Sequence, residues 1–430
     1  MNLGDTPKPP AKGLRPSAHL PFHQPIHAGH ALPLPGAIAL YIHIPFCKSR
    51  CPYCDFNTYS GMEALVPSYV RSLAGEMGLW GAALGKPGVT TLFFGGGTPS
   101  YISPQNIASI LEAALCAFQV APGAEITLEA NPGDLADEHG RSLLALGVNR
   151  LSIGVQSLED PLLKVLGRRH SAQEAVEAYR AARGAGFANI SMDLMYGIPY
   201  QTLEGWRDTL ERVLSLSPEH LSIYCLTLED GTPLERQVGL GQVPQPDPDL
   251  AADMYQMAEE LLEQAGYRHY EISNWARPGK ESRHNLTYWR NQPYLGVGPG
   301  AHSYLGKWRF HNTLSPQEYV RRLGDTPSPP SVANGISPEA LSQVPTVEGI
   351  ETIDERLEMA ETMMLGLRLE EGIDPEGFAR RFGRSLSSVY GEQVQDVTSL
   401  GLVEQAEGAL RLTPRGRLLG NEVFLRFFGG

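Results

Sequence analysis

Cys47, Cys51 and Cys54 crowd into eight positions of the run Tyr41-Ile-His43-Ile-Pro-Phe46-Cys47-Lys-Ser-Arg-Cys51-Pro-Tyr53-Cys54-Asp-Phe56. Five cysteines in 430 residues are too few for a disulfide scaffold, so the crowding points to metal. Three thiolates in one loop can ligate three irons of a four-iron cubane and leave the remaining iron without a protein ligand. An open iron is what a bound cosubstrate needs. Zinc competes, but a structural zinc closes a tetrahedron with four ligands, and this triplet offers no obvious fourth. His43 could be that ligand, yet its place in a strand should point it away from the loop. The other two cysteines read as core residues: Cys116 in the apolar helical run ILEAALCAF, and Cys225 in the strand-like LSIYCLTLE.

Further groups could act beside the thiolates. Gly95-Gly96-Gly97-Thr98-Pro99 follows the apolar TLFF; glycines let the backbone approach a ligand, and their N–H groups can bind a carboxylate, although such a triplet can also be a plain turn. Glu129, Gln156, Arg168 and Asp193 supply polar groups at intervals, each alone compatible with a structural role. Downstream stands His284-Asn285-Leu-Thr-Tyr288-Trp289. An imidazole is a normal axial ligand for heme iron, and Tyr288 and Trp289 offer flat apolar area against a porphyrin. The same residues could equally form a core corner with satisfied polar atoms. His302, in GAHSY, is a secondary candidate.

Six β-rich runs must position these groups: residues 37–44, 89–96, 125–131, 150–157, 189–197 and 220–228. Amphipathic helical stretches separate them, several ending at Gly. Six βα repeats with apolar strands predict an α/β fold with a parallel sheet covered by helices. Right-handed crossovers curl it into a partial (βα)6 barrel, with functional residues on the loops after the strands. Cys47 follows the first strand, the glycines the second, Glu129-Ala130-Asn131-Pro132 the third and Gln156 the fourth, while Asp193 lies within the fifth. All converge on one mouth.

Residues 1–36, rich in Pro, Gly and His, read as a flexible extension, and 37–275 as the partial barrel. HYEISNWA (269–276) looks like a strand. Residues 276–344 read as a connecting segment carrying the His-Asn motif, with a linker at GDTPSPPSVANG. Residues 345–430 read as a mostly helical, winged-helix-like C-terminal domain suited to docking or covering. A net charge of −13 argues against nucleic acid as a partner. Neither an apolar run long enough to span a membrane nor a secretory pattern is present, so a cytoplasmic protein is expected.

The C-x3-C-x2-C spacing with an aromatic before the last Cys, joined to the glycine motif, resembles the radical-SAM signature. In that family the open iron of a [4Fe-4S] cluster chelates the amine and carboxylate of S-adenosylmethionine, and an electron from the reduced cluster cleaves the sulfonium to a 5′-deoxyadenosyl radical. From Tyr41 to the C-terminus the chain resembles the HemN-like members. That resemblance implies that Tyr41, Gly96, Glu129 and the neighbourhood of Asn131 line the cluster-bound S-adenosylmethionine. It implies that Tyr53, Gly97, Thr98, Gln156, Arg168 and Asp193 contact a second molecule of it. Coproporphyrinogen III dehydrogenase carries a further cysteine two positions after the third; here that residue is Phe56. HemW-like heme chaperones have Phe there and an HNxxYW motif, which His284–Trp289 matches. This branch implies a cluster, S-adenosylmethionine and heme as cofactors, with His284 toward the heme. It implies an electron donor for the cluster, heme-accepting clients such as respiratory proteins, and no catalytic residue for coproporphyrinogen oxidation. The alternative is oxygen-independent decarboxylation of coproporphyrinogen III in porphyrin biosynthesis.

Overall fold

A computed structural model describes residues 36–324 and 336–429. Nearly all of the 1–36 extension and of the linker GDTPSPPSVANG lies outside the described residues. Six parallel strands form the scaffold: β1 (Ala37–Ile44), β2 (Gly88–Gly96), β3 (Gln119–Ala130), β4 (Arg150–Gln156), β5 (Ile190–Tyr196) and β6 (His220–Cys225). They pair in chain order, each to the next. Leu40, Ile42 and Ile44 of β1, Phe94 of β2 and Leu128 of β3 are buried under the helices, while Tyr41, Phe93, Glu129 and Asp193 occupy the alternate positions facing the concave side. This two-sided burial is why the strands read as nearly continuous apolar runs.

The sheet does not close. It runs on at both edges, with two further strands beyond β6 and four beyond β1. The far edge is a short antiparallel pair, β7 (Arg268–Glu271) and β8 (Asn274–Ala276), where a single strand was expected. The near edge corrects the reading of 276–344 as a connecting segment. There β9 (Tyr294–Val297) pairs parallel with β1, and β10 (His302–Leu305), β11 (Trp308–Asn312) and β12 (Val347–Thr352) continue antiparallel. Strands of four to six residues between glycine turns are too short to show a period in the sequence.

The C-terminal part has its own core, in which Met363, Phe378, Tyr390, Val397, Leu410 and Phe427 are buried. Helices Glu355–Gly366, Pro375–Phe382 and Leu386–Ser399 precede a hairpin of Val403–Ala406 with Ala409–Leu412 and two short helices, the element order of a winged helix. It docks on the barrel through Arg417 to Glu259 (2.8 Å) and Arg381 to the Asn291 carbonyl (3.0 Å).

One buried carboxylate ties the near-edge strands to the barrel. Glu76, on the long helix Val66–Ala83, is fully buried and accepts hydrogen bonds from Gly298 N (2.7 Å), Asn312 Nδ2 (2.7 Å), Tyr319 Oη (2.5 Å) and Thr346 Oγ1 (2.9 Å). Burial pushes its pKa up and these donors pull it back. Glu76→Ala strands several buried donors, so chemical denaturation should show a loss of about 3 kcal/mol or more. A loss under about 1 kcal/mol would mean that the cluster of donors finds other partners.

Candidate functional site

The cysteine loop leaves β1 at Ile44 and is pinned at its root. Phe46–Cys47 pairs with Tyr59–Ser60, Tyr59 N donates to the Pro45 carbonyl (2.8 Å), and Cys54 N donates to the Cys51 carbonyl (3.2 Å). All three thiols are half-buried. Burial pushes the Cys47 and Cys54 thiols up, and the neighbouring cysteines add to it. Ionising the Cys47 and Cys54 thiols there would need a cationic partner beside them. Among the described residues, no three His, Cys, Asp or Glu side chains are grouped as a single metal ion requires. His43 is not a fourth ligand: its Nε2 hydrogen-bonds the Asn57 carbonyl (2.9 Å) and its Nδ1 the Tyr41 hydroxyl (3.1 Å).

The glycine turn packs directly on this loop. Gly97 N donates to the Ile44 carbonyl (2.8 Å) and Thr98 N to the Phe46 carbonyl (2.9 Å), while the Thr98 hydroxyl lies 3.4 Å from the Cys47 sulfur. A Cβ on Gly97 would stand 2.8 Å from the Phe46 carbonyl oxygen and 2.9 Å from that of Ile44. Gly96 has φ +110°, and its N–H reaches the Glu129 carboxylate at 3.2 Å. Tyr41 stacks on Phe93 beside them. Burial, then the nearby Asp193, pushes the Glu129 carboxyl up to about 8. Tyr41, Gly96 and Glu129 thus form one group at the mouth.

A second group stands over the Cys51 side. Arg168 donates to the Gly154 carbonyl (2.6 Å) and places Nη1 3.7 Å from the Cys51 sulfur. Tyr53 faces the same guanidinium. Gln156, at φ +66°, turns its amide over Gly154 next to Arg168. Asp193 sits apart, its carboxylate accepting from Ser152 (3.0 Å) and Ser191 (2.9 Å).

The structure also supplies a residue that sequence reasoning missed. Arg150, the first residue of β4, is buried, and its charge bears on Glu129, Asp193, His220 and His284 from inside the barrel. No motif marks it; only its place after the Gly147 turn, at the start of a strand, hinted at an inward position.

His284 does not sit as a ligand would. It lies on the short helix Arg283–Trp289, fully buried, stacked on Phe93 at 5.0 Å, with Nδ1 bonded to the Thr91 hydroxyl (2.8 Å) and Nε2 to Tyr288 Oη (2.8 Å). Burial and Arg150 lower its pKa to about 3. With both nitrogens engaged, His284 braces Tyr288 and has no lone pair free for iron; the corner reading of the motif fits this arrangement. Cys116 and Cys225, expected in the core, are both exposed. Helix Pro104–Ala117 buries Ile107, Ile110, Leu111, Ala114 and Ala117, which leaves Leu115 and Cys116 on its outer face. Cys225 ends β6 beside the exposed Tyr224.

Comparison with known proteins fits this geometry. The Radical SAM superfamily profile matches residues 41–213, and that of the HemN C-terminal domain matches 353–419. The heme chaperone HemW of Bacillus subtilis is 38% identical over 390 residues, 90% of this chain and 98% of its own. HemW of Lactococcus lactis is 36% identical over 387 residues, 90% and 96% of the two chains. The chain belongs to the HemW family. Coproporphyrinogen III oxidase (HemN) from Escherichia coli, a radical SAM enzyme, superposes with a TM-score of 0.77 over 92% of this chain and 91% of its own. At 23% identity that likeness speaks for the fold. In this HemW-family chain Phe56 is 65% exposed beside the cysteine loop. Among the described residues no helix is long and apolar enough to cross a membrane.

Two outcomes follow from the site. Gly97→Ala should lower iron retained after anaerobic reconstitution, because its Cβ meets two carbonyls at the loop root; full iron loading would show that the root yields. Glu129 titrates near 8 in the folded chain against 4.5 ordinarily, so the folded state holds its proton through that interval and stability declines as pH rises across it. The stability of Glu129→Gln relative to the parent should therefore be greater at about pH 8 than at about pH 5. An equal difference at both pH values would mean that the carboxyl is already ionised in the ligand-free protein.

Proposed function

We propose that this chain is a heme chaperone that carries a [4Fe-4S] cluster and S-adenosylmethionine and delivers heme to heme-requiring client proteins such as respiratory enzymes. The observation that carries the reading is Phe56. It takes the place of the additional cysteine of the C-x3-C-x2-C-x-C pattern and stands on the rim of a cleft of about 750 Å³ between the barrel mouth and the C-terminal domain.

When bound, the cluster and S-adenosylmethionine supply one-electron chemistry at a sulfonium. Cys47, Cys51 and Cys54 are the ligands that would hold the cluster. Glu129, braced by Gly96 N–H, suits the cationic end of S-adenosylmethionine, and Tyr41 forms the adjoining wall. Arg168, Gln156 and Tyr53, with Gly97 and Thr98 nearby, offer donors for a second molecule, and Asp193 an acceptor deeper in the mouth. An electron donor outside the chain is required to reduce the cluster.

The cleft suits a flat apolar ligand that must leave again. Its volume lies in the range of cofactor sites. Tyr288, Trp289 and Tyr294 give it aromatic walls, and Met364 and Leu365 cover it from the C-terminal domain. An edge open to solvent allows a client to take the ligand. The rival reading is oxidative decarboxylation of coproporphyrinogen III, with the same cofactors and a different outcome.

The deciding experiment supplies anaerobically reconstituted protein with reductant, S-adenosylmethionine and coproporphyrinogen III, and in parallel incubates heme-loaded protein with an apo-cytochrome. No protoporphyrinogen and a gain of heme by the apo-cytochrome are expected. Protoporphyrinogen formation would overturn the chaperone reading.

A further inference from the structure

Two imidazoles line the cleft, His43 and His302. Both His43 nitrogens are engaged, by Tyr41 and Asn57, and burial lowers its pKa to about 4. His284 lies behind the wall with both nitrogens bonded. His302, on β10, is exposed, and among the described residues its ring makes no hydrogen bond. Among the described residues its ring partner is the cross-strand His311, at 5.2 Å. His311 itself hydrogen-bonds the Asn312 carbonyl through Nδ1 (3.2 Å) and lies against Gly349.

We propose that His302 is the axial ligand of a heme seated in this cleft, and that His284 supports the site by fixing Tyr288. The inference rests on the heme-carrying reading above. A ferric or ferrous heme iron takes a neutral imidazole nitrogen, and His302 is the cleft imidazole with a lone pair to give. Burial, His311 and Arg309 all disfavour its protonated form. Phenolate is the other hard ligand at hand, but burial raises the pKa of Tyr41, Tyr294 and Tyr304, so these remain neutral phenols that pack against the ring. Arg309, beside His302, donates to Glu361 (2.7 Å) and Glu351 (3.4 Å) at the same rim, where a heme propionate could compete for it.

The test titrates hemin into full-length, cluster-reconstituted protein and into His302→Ala and His284→Ala, with ferric-heme electron paramagnetic resonance and Soret difference spectra as readouts. Cluster content is checked separately by iron and sulfide analysis. The unaltered protein should show a nitrogen-ligated heme. His302→Ala should lose that signature and bind about tenfold or more weakly, with the signature restored by added imidazole. His284→Ala should keep it. If His302→Ala keeps the nitrogen signature, or His284→Ala alone loses it, the assignment is overturned while the heme-carrying reading stands. If the unaltered protein binds no heme, both fall.

Discussion

Two backbone hydrogen bonds, Gly97 N to Ile44 and Thr98 N to Phe46, hold the candidate site together. They dock the turn after β2 onto the loop after β1, and so bring the thiols and the glycine N–H groups, forty-one to fifty residues apart, to one mouth. A side chain cannot fit at Gly97, because the carbonyls of the loop root occupy the space where its Cβ would project, and at Gly96 a Cβ would run into the His43 ring. Gly97 is thus required by the closeness of two loops as much as by any ligand. Everything at the mouth depends on this docking. The Gly96 N–H aims at Glu129, and Thr98 reaches the Cys47 sulfur, only because the turn is held down.

Inside the barrel the controlling feature is charge in a confined space. Asp193 bears on Glu129, and Arg150 supplies the buried positive charge that makes two carboxyl groups tolerable there. Hydroxyls of Ser152 and Ser191 satisfy Asp193. Glu129 has fewer donors, and burial together with the nearby Asp193 keeps its proton on, which suits a group that would ionise as a cation arrives. His284 belongs to the same interior. Between Thr91 and Tyr288, stacked on Phe93, it fixes a wall of the cleft from behind.

The six parallel strands were legible in the sequence because two-sided burial makes each an unbroken apolar run, and their loops carried the cysteines, the glycines and Gln156 to the predicted end. What escaped notice had weak or ambiguous periodicity. Strands β9 to β12 are short and interrupted by Gly298, Gly300 and Gly306, so they read as a connector although they widen the sheet. Cys116 sits in a helix apolar on more than one face, and composition could not say which face is buried. Glu76 and Arg150 are ordinary charged residues in sequence; only the fold shows that distant segments surround them. For His284 the residue type suggested a ligand, but whether an imidazole has a free nitrogen depends on contacts as remote as Thr91.

The proposed function requires the three thiols to hold a cubane with one iron open to S-adenosylmethionine. Mössbauer spectroscopy of protein reconstituted with iron-57, recorded with and without S-adenosylmethionine, addresses it most directly. The account predicts the spectrum of a [4Fe-4S] cluster in which the isomer shift of one iron site changes when S-adenosylmethionine is added. A protein that takes up a single zinc ion in place of iron, or a cluster whose spectrum ignores S-adenosylmethionine, would contradict it.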